Sequence, residues 1–174
     1  MNQYCGIDLA VKRKTYVALL LKKQEGIEVH VFPKNNDEEI IEYCEGSEVV
    51  AIDSPLSYTK GFREVDKEMI RRGYKVLPPS WMNSLVERAL NLSKAFNKVI
   101  ETHPTSSAKN LGLNWKDYSK VKDEFDALLC SLVAYLYDRK EAMEIKAVDG
   151  RIYLVPKGYS VKIMRVNDST FKLL

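Results

Sequence analysis

Apolar and polar positions divide the chain into stretches of different rhythm. Tyr4 to Ala10 is mostly apolar and predicts a strand. Lys12, Arg13 and Lys14 form a basic turn, and Thr15 to Leu21 is a second run rich in β-branched and aromatic residues. Gln24 to Gly26 turns the chain, and Glu28 to Phe32 predicts a third strand. Turns this short join antiparallel neighbours, so an antiparallel meander is expected at the start.

The rhythm then changes. Asp37 is a plausible N-cap for a short helix through Cys44, with Glu38 and Glu39 in its first turn. Val49 to Ile52 is a continuous apolar run, as in a strand buried on both faces. Phe62, Val65 and Met69 recur at helical spacing, with Gly73 placed to close that helix. Lys75 to Leu77 reads as a short strand broken by Pro78-Pro79, and Ser80 as the cap of a helix through about Phe96. Lys98 to Glu101 predicts another buried strand, and a short helix between Pro104 and Gly112 follows. Lys122 to Lys140 is the clearest helix, with a broad apolar stripe through Phe125, Leu128, Leu129, Leu132, Val133 and Leu136. In the tail, Arg151 to Val155 and Val161 to Val166 read as the two strands of a terminal hairpin around Pro156 and Gly158.

A meander leading into right-handed crossovers predicts an α/β fold. The expected sheet is mixed and five-stranded, with helices on both faces. Its first, fourth and fifth strands would be parallel, and their C-terminal ends would share the edge where open α/β sheets place their sites.

Composition narrows the classes. The 174 residues suit one domain with a core of its own. Apolar content of 45% and a net charge of 27 − 24 = +3 exclude disorder over most of the length. No run approaches the roughly 18 apolar residues of a membrane span, and the first ten residues do not read as a signal peptide. Cys5, Cys44 and Cys130 are odd in number and far apart, which suits a reducing cytoplasm and argues against a disulfide framework. Neither His30 nor His103 has a partner at zinc spacing. Walker-type, dinucleotide-binding and serine-hydrolase motifs are absent.

Carboxylates stand where a core would prefer none. Asp8 interrupts the first strand between Ile7 and Leu9; Asp53 ends the run VVAI; Glu101 ends KVI; Asp126 lies on the last helix, with Asp123 one turn earlier. An unpaired buried carboxylate costs several kcal/mol or shifts its pKa upward. No lysine or arginine interrupts the runs holding Asp8 and Asp53, so a divalent cation is the natural counter-charge. Two such ions about 3.5–4 Å apart support in-line phosphodiester displacement. Each acid alone also has a structural reading. Asp53 and Glu101 suit turn or cap positions, and Asp123 suits the first turn of a helix. Asp8 and Asp126 sit at no cap.

These segments resemble the ribonuclease H-like superfamily, especially its RuvC-like branch of Holliday-junction resolvases, which carries paired acids at i,i+3 on its final helix. The chain is more closely similar to the domain of unknown function 429 family (DUF429), predicted ribonuclease H-like nucleases. The matching segments are GIDLA, AIDSPLS, FREVDKEMIRRG, IETHP and KDEFDALLCSLVAY, spanning residue 5 to about 140. The resemblance implies a ribonuclease H-like domain over residues 1–145, with 146–174 as a hairpin tail packed on it. It implies Mg²⁺ or Mn²⁺ at Asp8, Asp53, Glu101 and Asp126, with Asp123 a further ligand, and nucleic acid as substrate. Asp8 would bridge two ions.

Arg63 and Asp66 read as a surface ion pair from spacing, worth less than about 1 kcal/mol. The resemblance instead points Arg63 at phosphate. Lys12 and Arg13 could track a phosphate backbone or merely solvate the turn. His103 shares a face with Glu101 and could orient a water or ligand, or simply occupy the turn. Tyr58, Trp81 and Trp115 lie in loop-like stretches where bases could stack. The rival to a metal-dependent nuclease is a non-catalytic ribonuclease H-like module that binds metal or nucleic acid. An actin-like kinase would need a second domain and phosphate-binding glycine turns.

Overall fold

The computed structural model describes residues 2–174. β1 (Asn2–Asp8), β2 (Thr15–Lys23) and β3 (Gly26–Lys34) form the expected antiparallel meander. α1 (Asp37–Cys44) leads to β4 (Val50–Ile52), which lies parallel to β1. α2 (Glu64–Arg71) and α3 (Asn83–Ser93) lead to β5 (Val99–Thr102), parallel to β4. α4 (Pro104–Leu111) and α5 (Lys122–Asp138) precede β6 (Met143–Ala147), β7 (Gly150–Leu154), β8 (Ile163–Arg165) and β9 (Thr170–Leu173). The architecture is α/β with a mixed sheet.

Among the described residues the sheet has nine strands, not five, in the order β6-β7-β5-β4-β1-β2-β3-β9-β8. The four added strands all come from the C-terminal segment. A five-stranded sheet would leave the edges of β5 and β3 unpaired, and exposed edges invite association. β7 covers β5 in parallel and pairs with β6, while β9 covers β3 and pairs with β8. The stretch 151–155 and the stretch 161–166 therefore serve opposite edges and do not form a hairpin with each other. Lys75 to Leu77 forms no strand, because both sides of β5 are already taken by β4 and β7.

Two helix starts also differ from expectation. Asn36, not Asp37, caps α1 by accepting from the Glu39 amide at 2.9 Å. Pro79 to Trp81 makes a 3₁₀ turn ahead of α3, and Ser80 Oγ instead accepts from the Gly61 amide at 3.1 Å. Gly112 closes α4 with φ +67°, a left-handed conformation that suits glycine.

Alternate residues of the central strands face different helices. Tyr4, Ala18, Leu20, Val29 and Ala51 pack with the buried stripe of α5. Cys5, Ile7, Val17, Val50 and Ile52 pack with Ile40 and Cys44 of α1 and with Ala89 and Leu92 of α3. α2 closes its own cluster through Val65 and Met69 against Ile145, Ile152 and Leu154.

Gly6 is where α5 comes closest to β1. A Cβ at Gly6 would lie 2.1 Å from the Ser131 nitrogen and 2.5 Å from the Ala127 carbonyl oxygen. Only glycine permits that approach, and it brings the start of α5 beside the end of β1.

The cysteine expectation is overturned. Cys5 and Cys44 form a disulfide across 39 residues, with Cα atoms 5.5 Å apart. Distance along the chain misled, since α1 folds back onto the face of β1 that carries Cys5. Such bonds are rare in reducing compartments, so the cysteine count no longer argues for the cytoplasm. Cys130 is buried and free. Among the described residues no helix is long and apolar enough to cross a membrane.

Candidate metal centre

Asp8 ends β1 on the side chain parity of Tyr4 and Gly6, which faces α5. Asp53 follows β4, and its amide donates to the Ile7 carbonyl at 2.9 Å. That bond draws the end of β4 against the end of β1. Asp123 and Asp126 stand one turn apart at the start of α5, delivered there by the close packing at Gly6. Asp8, Asp123 and Asp126 each offer a carboxylate oxygen within 4.8 Å of the others. Asp53 lies close enough to Asp8 for each carboxyl to shift the titration of the other.

Asp8 is 3% exposed, and its Oδ2 is the one buried side-chain polar atom without a hydrogen-bond partner among the described residues. Buried polar atoms are nearly always partnered. Burial, then the charges of Asp53 and Asp126 and the hydrogen bond to Asp123, push the Asp8 carboxyl far above the usual carboxylate range. Burial also raises Asp53, although its hydrogen bond to Asp8 opposes this.

Two cations sit at the rim. Lys122 Nζ donates to Asp126 at 2.6 Å and Arg13 Nε to Asp123 at 2.8 Å. Burial raises the Asp126 carboxyl, and Lys122 offsets only part of that. For Asp123 burial acts in the same sense, but Arg13 and the Asp8 hydrogen bond win and hold it below its ordinary value. The two cationic side chains remain 44% and 64% exposed, so both reach solvent. Asp8 and Asp53 have no such cation.

Glu101 does not join these acids, contrary to expectation. Strand register is the reason: Ile7 pairs with Ile52, and Ile52 with Glu101. Glu101 therefore shares the parity of Ile7 and Ile52, which is opposite to that of Asp8. There it meets Arg63, whose Nη1 and Nη2 donate to its two oxygens at 2.8 and 2.6 Å. Arg63 also donates from Nε and Nη2 to Asp66 at 3.0 and 2.8 Å, and from Nη1 to Ser57 at 3.0 Å. At 1% exposure Arg63 is no surface residue and offers no phosphate contact at the rim. Burial raises the Glu101 carboxyl, while Arg63 pulls it back.

Of the other expected contacts, Lys12 is exposed in the β1–β2 turn, and Arg13 beside it is engaged with Asp123. That turn is anchored by Arg88, which donates to the Ala10 carbonyl and pairs with Asp37 at 2.8 Å. His103 Nδ1 bonds to Ser106 Oγ at 2.6 Å. Burial, helped by Lys122, pushes the His103 imidazole down to about 4, so it is neutral at pH 7. Trp81 and Tyr58 are exposed, whereas Trp115 packs against the core and is no free stacking platform.

Beside the acids opens a cavity of about 180 Å³. Its lining includes Asp8, Arg13, Asp53, Arg63, Asp66 and Glu101 together with Leu9, Val76, Leu77, Met82, Leu85 and His103. Two partners of the acids were missed by sequence reasoning. Lys122 at i,i+4 from Asp126 was a readable signal; Arg13 on Asp123 required knowing how the turn folds.

No family model, curated protein or solved structure matches this chain.

Proposed function

We propose that the chain is a metal-dependent nuclease of ribonuclease H-like type, acting on phosphodiester bonds of nucleic acid with Mg²⁺ or Mn²⁺. The observation that carries this reading is the buried, partnerless Oδ2 of Asp8 amid three further aspartates. A hard divalent cation suits an all-oxygen donor set of this kind.

Asp8, Asp123 and Asp126 would hold one cation, and Asp8 with Asp53 a second. Bound ions of this kind polarise a phosphoryl oxygen and make water a competent nucleophile near neutral pH. A bound cation would favour the ionised forms of Asp8 and Asp53, whose carboxyls burial raises in the metal-free protein. Arg13 and Lys122, released from Asp123 and Asp126, are placed to bind the phosphates that enter with the substrate. Lys12, exposed beside Arg13, extends that basic rim. Glu101 serves differently from the other acids: with Arg63 it braces the floor of the site. Support for the DUF429-like assignment is the set of matching segments together with the order of meander, parallel strands and a final acidic helix.

A second reading has a specific observation behind it. The pairing of Arg13 and Lys122 with two of the acids is how a non-catalytic module would neutralise them without metal. Cleavage of single- and double-stranded DNA and RNA, with and without Mg²⁺, separates the two. The nuclease reading expects Mg²⁺-dependent cleavage that Asp8→Asn abolishes. Cleavage that survives in Asp8→Asn, or metal binding without turnover on any nucleic acid, rejects it.

A further inference from the structure

The cavity next to the acids is far larger than an ion needs. About 10–15 Å³ suffices for one water, against about 180 Å³ here. Its lining is also mixed. The acids would draw a cation, and through it a phosphate, while Val76, Leu77, Met82 and Leu85 supply apolar surface that favours neither.

Among the polar residues of the lining, one has a ring nitrogen to spare. His103 lines the cavity with its Nδ1 tied to Ser106, and Nε2 has no partner among the described residues. With one ring nitrogen fixed by Ser106, the other is left as a single directional hydrogen-bonding group. Thr102, also at the lining, is spent on the Tyr153 carbonyl at 2.6 Å and cannot compete for the role. A cavity that sets apolar side chains and a free imidazole nitrogen beside the acids suits a heteroaromatic ring carried by a phosphate.

We propose that this cavity receives a nucleobase, that of the nucleotide beside the phosphate held at the acids. This rests on the nuclease reading and narrows its substrate. A base can enter such a pocket only when it is unstacked and unpaired, so the substrate is single-stranded nucleic acid or a locally opened duplex. Trp81, 73% exposed and one residue before the lining Met82, is an exposed aromatic on which a neighbouring base could stack.

The test uses the full chain in Mg²⁺, with nucleoside 5′-monophosphates and ribose 5-phosphate as probes, followed by calorimetry and by the methyl resonances of Val76, Leu77 and Met82. The nucleotides are expected to bind at least about tenfold tighter than ribose 5-phosphate and to shift those methyls. Leu77→Trp, at a position 53% exposed and so tolerant of bulk, should remove that preference. Its Mg²⁺ affinity and melting temperature should stay as in the wild type. Equal binding of nucleotides and ribose 5-phosphate, binding of neither, or an unchanged preference in Leu77→Trp overturns the proposal. If Mg²⁺ does not bind but free nucleosides still shift the same methyls, the metal reading fails and the base pocket stands. If nucleosides shift nothing either, both fail.

Discussion

Gly6 and Ser131 touch backbone to backbone, so closely that a methyl group on Gly6 would lie 2.1 Å from the Ser131 nitrogen. The contact fixes how near α5 runs to β1, and therefore how near Asp123 and Asp126 stand to Asp8. Gly6→Ala must push the helix outward. Overpacking of this kind costs about 1–3 kcal/mol, and the obstacle here is backbone, which yields little. Chemical denaturation should register that loss, and Mg²⁺ affinity should fall further than in a surface variant of equal stability. An unchanged melt and affinity would show that the helix position does not depend on Gly6.

Arg63 and Glu101 give a second prediction, because Glu101 is held by Arg63 and not by the aspartates. Removing one partner of a buried ion pair costs about 3–5 kcal/mol. Arg63→Ala should therefore lose stability on that scale in a urea melt, with Glu101 left uncompensated. Glu101→Gln should be destabilised while keeping Mg²⁺ binding, whereas Asp8→Asn should lose Mg²⁺ binding and keep or gain stability. Loss of Mg²⁺ binding in a folded Glu101→Gln protein would return Glu101 to the metal-holding acids.

Much of this was legible in the chain itself, and the failures share physical causes. The meander, the parallel β1, β4 and β5, and the helix from Lys122 followed from alternation and from a long apolar stripe. Asp8 and Asp126 stood out because they interrupt apolar surroundings. Glu101 looked equivalent to Asp53, since both end buried runs. A one-residue difference in strand parity sends it to the opposite face, and register is set by pairing that the local sequence does not display. Arg63 was hidden for the same reason: spacing joins it to Asp66, but only the fold shows both beneath the surface. Cys5 and Cys44, like the tail strands at opposite sheet edges, meet through long-range packing that no local pattern encodes.

The disulfide between Cys5 and Cys44 ties β1, which carries Asp8, to the end of α1. Closing a loop of this size contributes about 2–4 kcal/mol. Reductant should lower the melting temperature, and Cys44→Ser should match the reduced wild type. Alkylation of the unfolded, unreduced protein should label Cys130 alone. Labelling of all three cysteines would refute the bond.

The pH dependence of the metal-free protein follows from Asp8 and Asp53. Their carboxyls are raised in the folded state, so folding retains protons that the unfolded chain has lost above about pH 5. Stability held by such groups is full below the unfolded pKa and falls as pH rises towards the folded one. His103 acts oppositely, since its lowered pKa makes stability rise between about pH 4 and 6.5. The clear window is therefore about pH 7.5 to 8.5, where His103 is essentially neutral in both states. There each retained proton should cost about 1.4 kcal/mol per pH unit. Denaturation of wild type should show falling stability across that window, and Asp8→Asn should be flatter. A rise with pH there would contradict the clustering of these acids.

The most direct measurement is diffraction from a crystal soaked in Mn²⁺, with the anomalous signal used to locate the ion. A peak among Asp8, Asp123 and Asp126, with Arg13 and Lys122 turned away from their acids, is the result expected of a cation centre. No peak there, with both ion pairs intact, would contradict it.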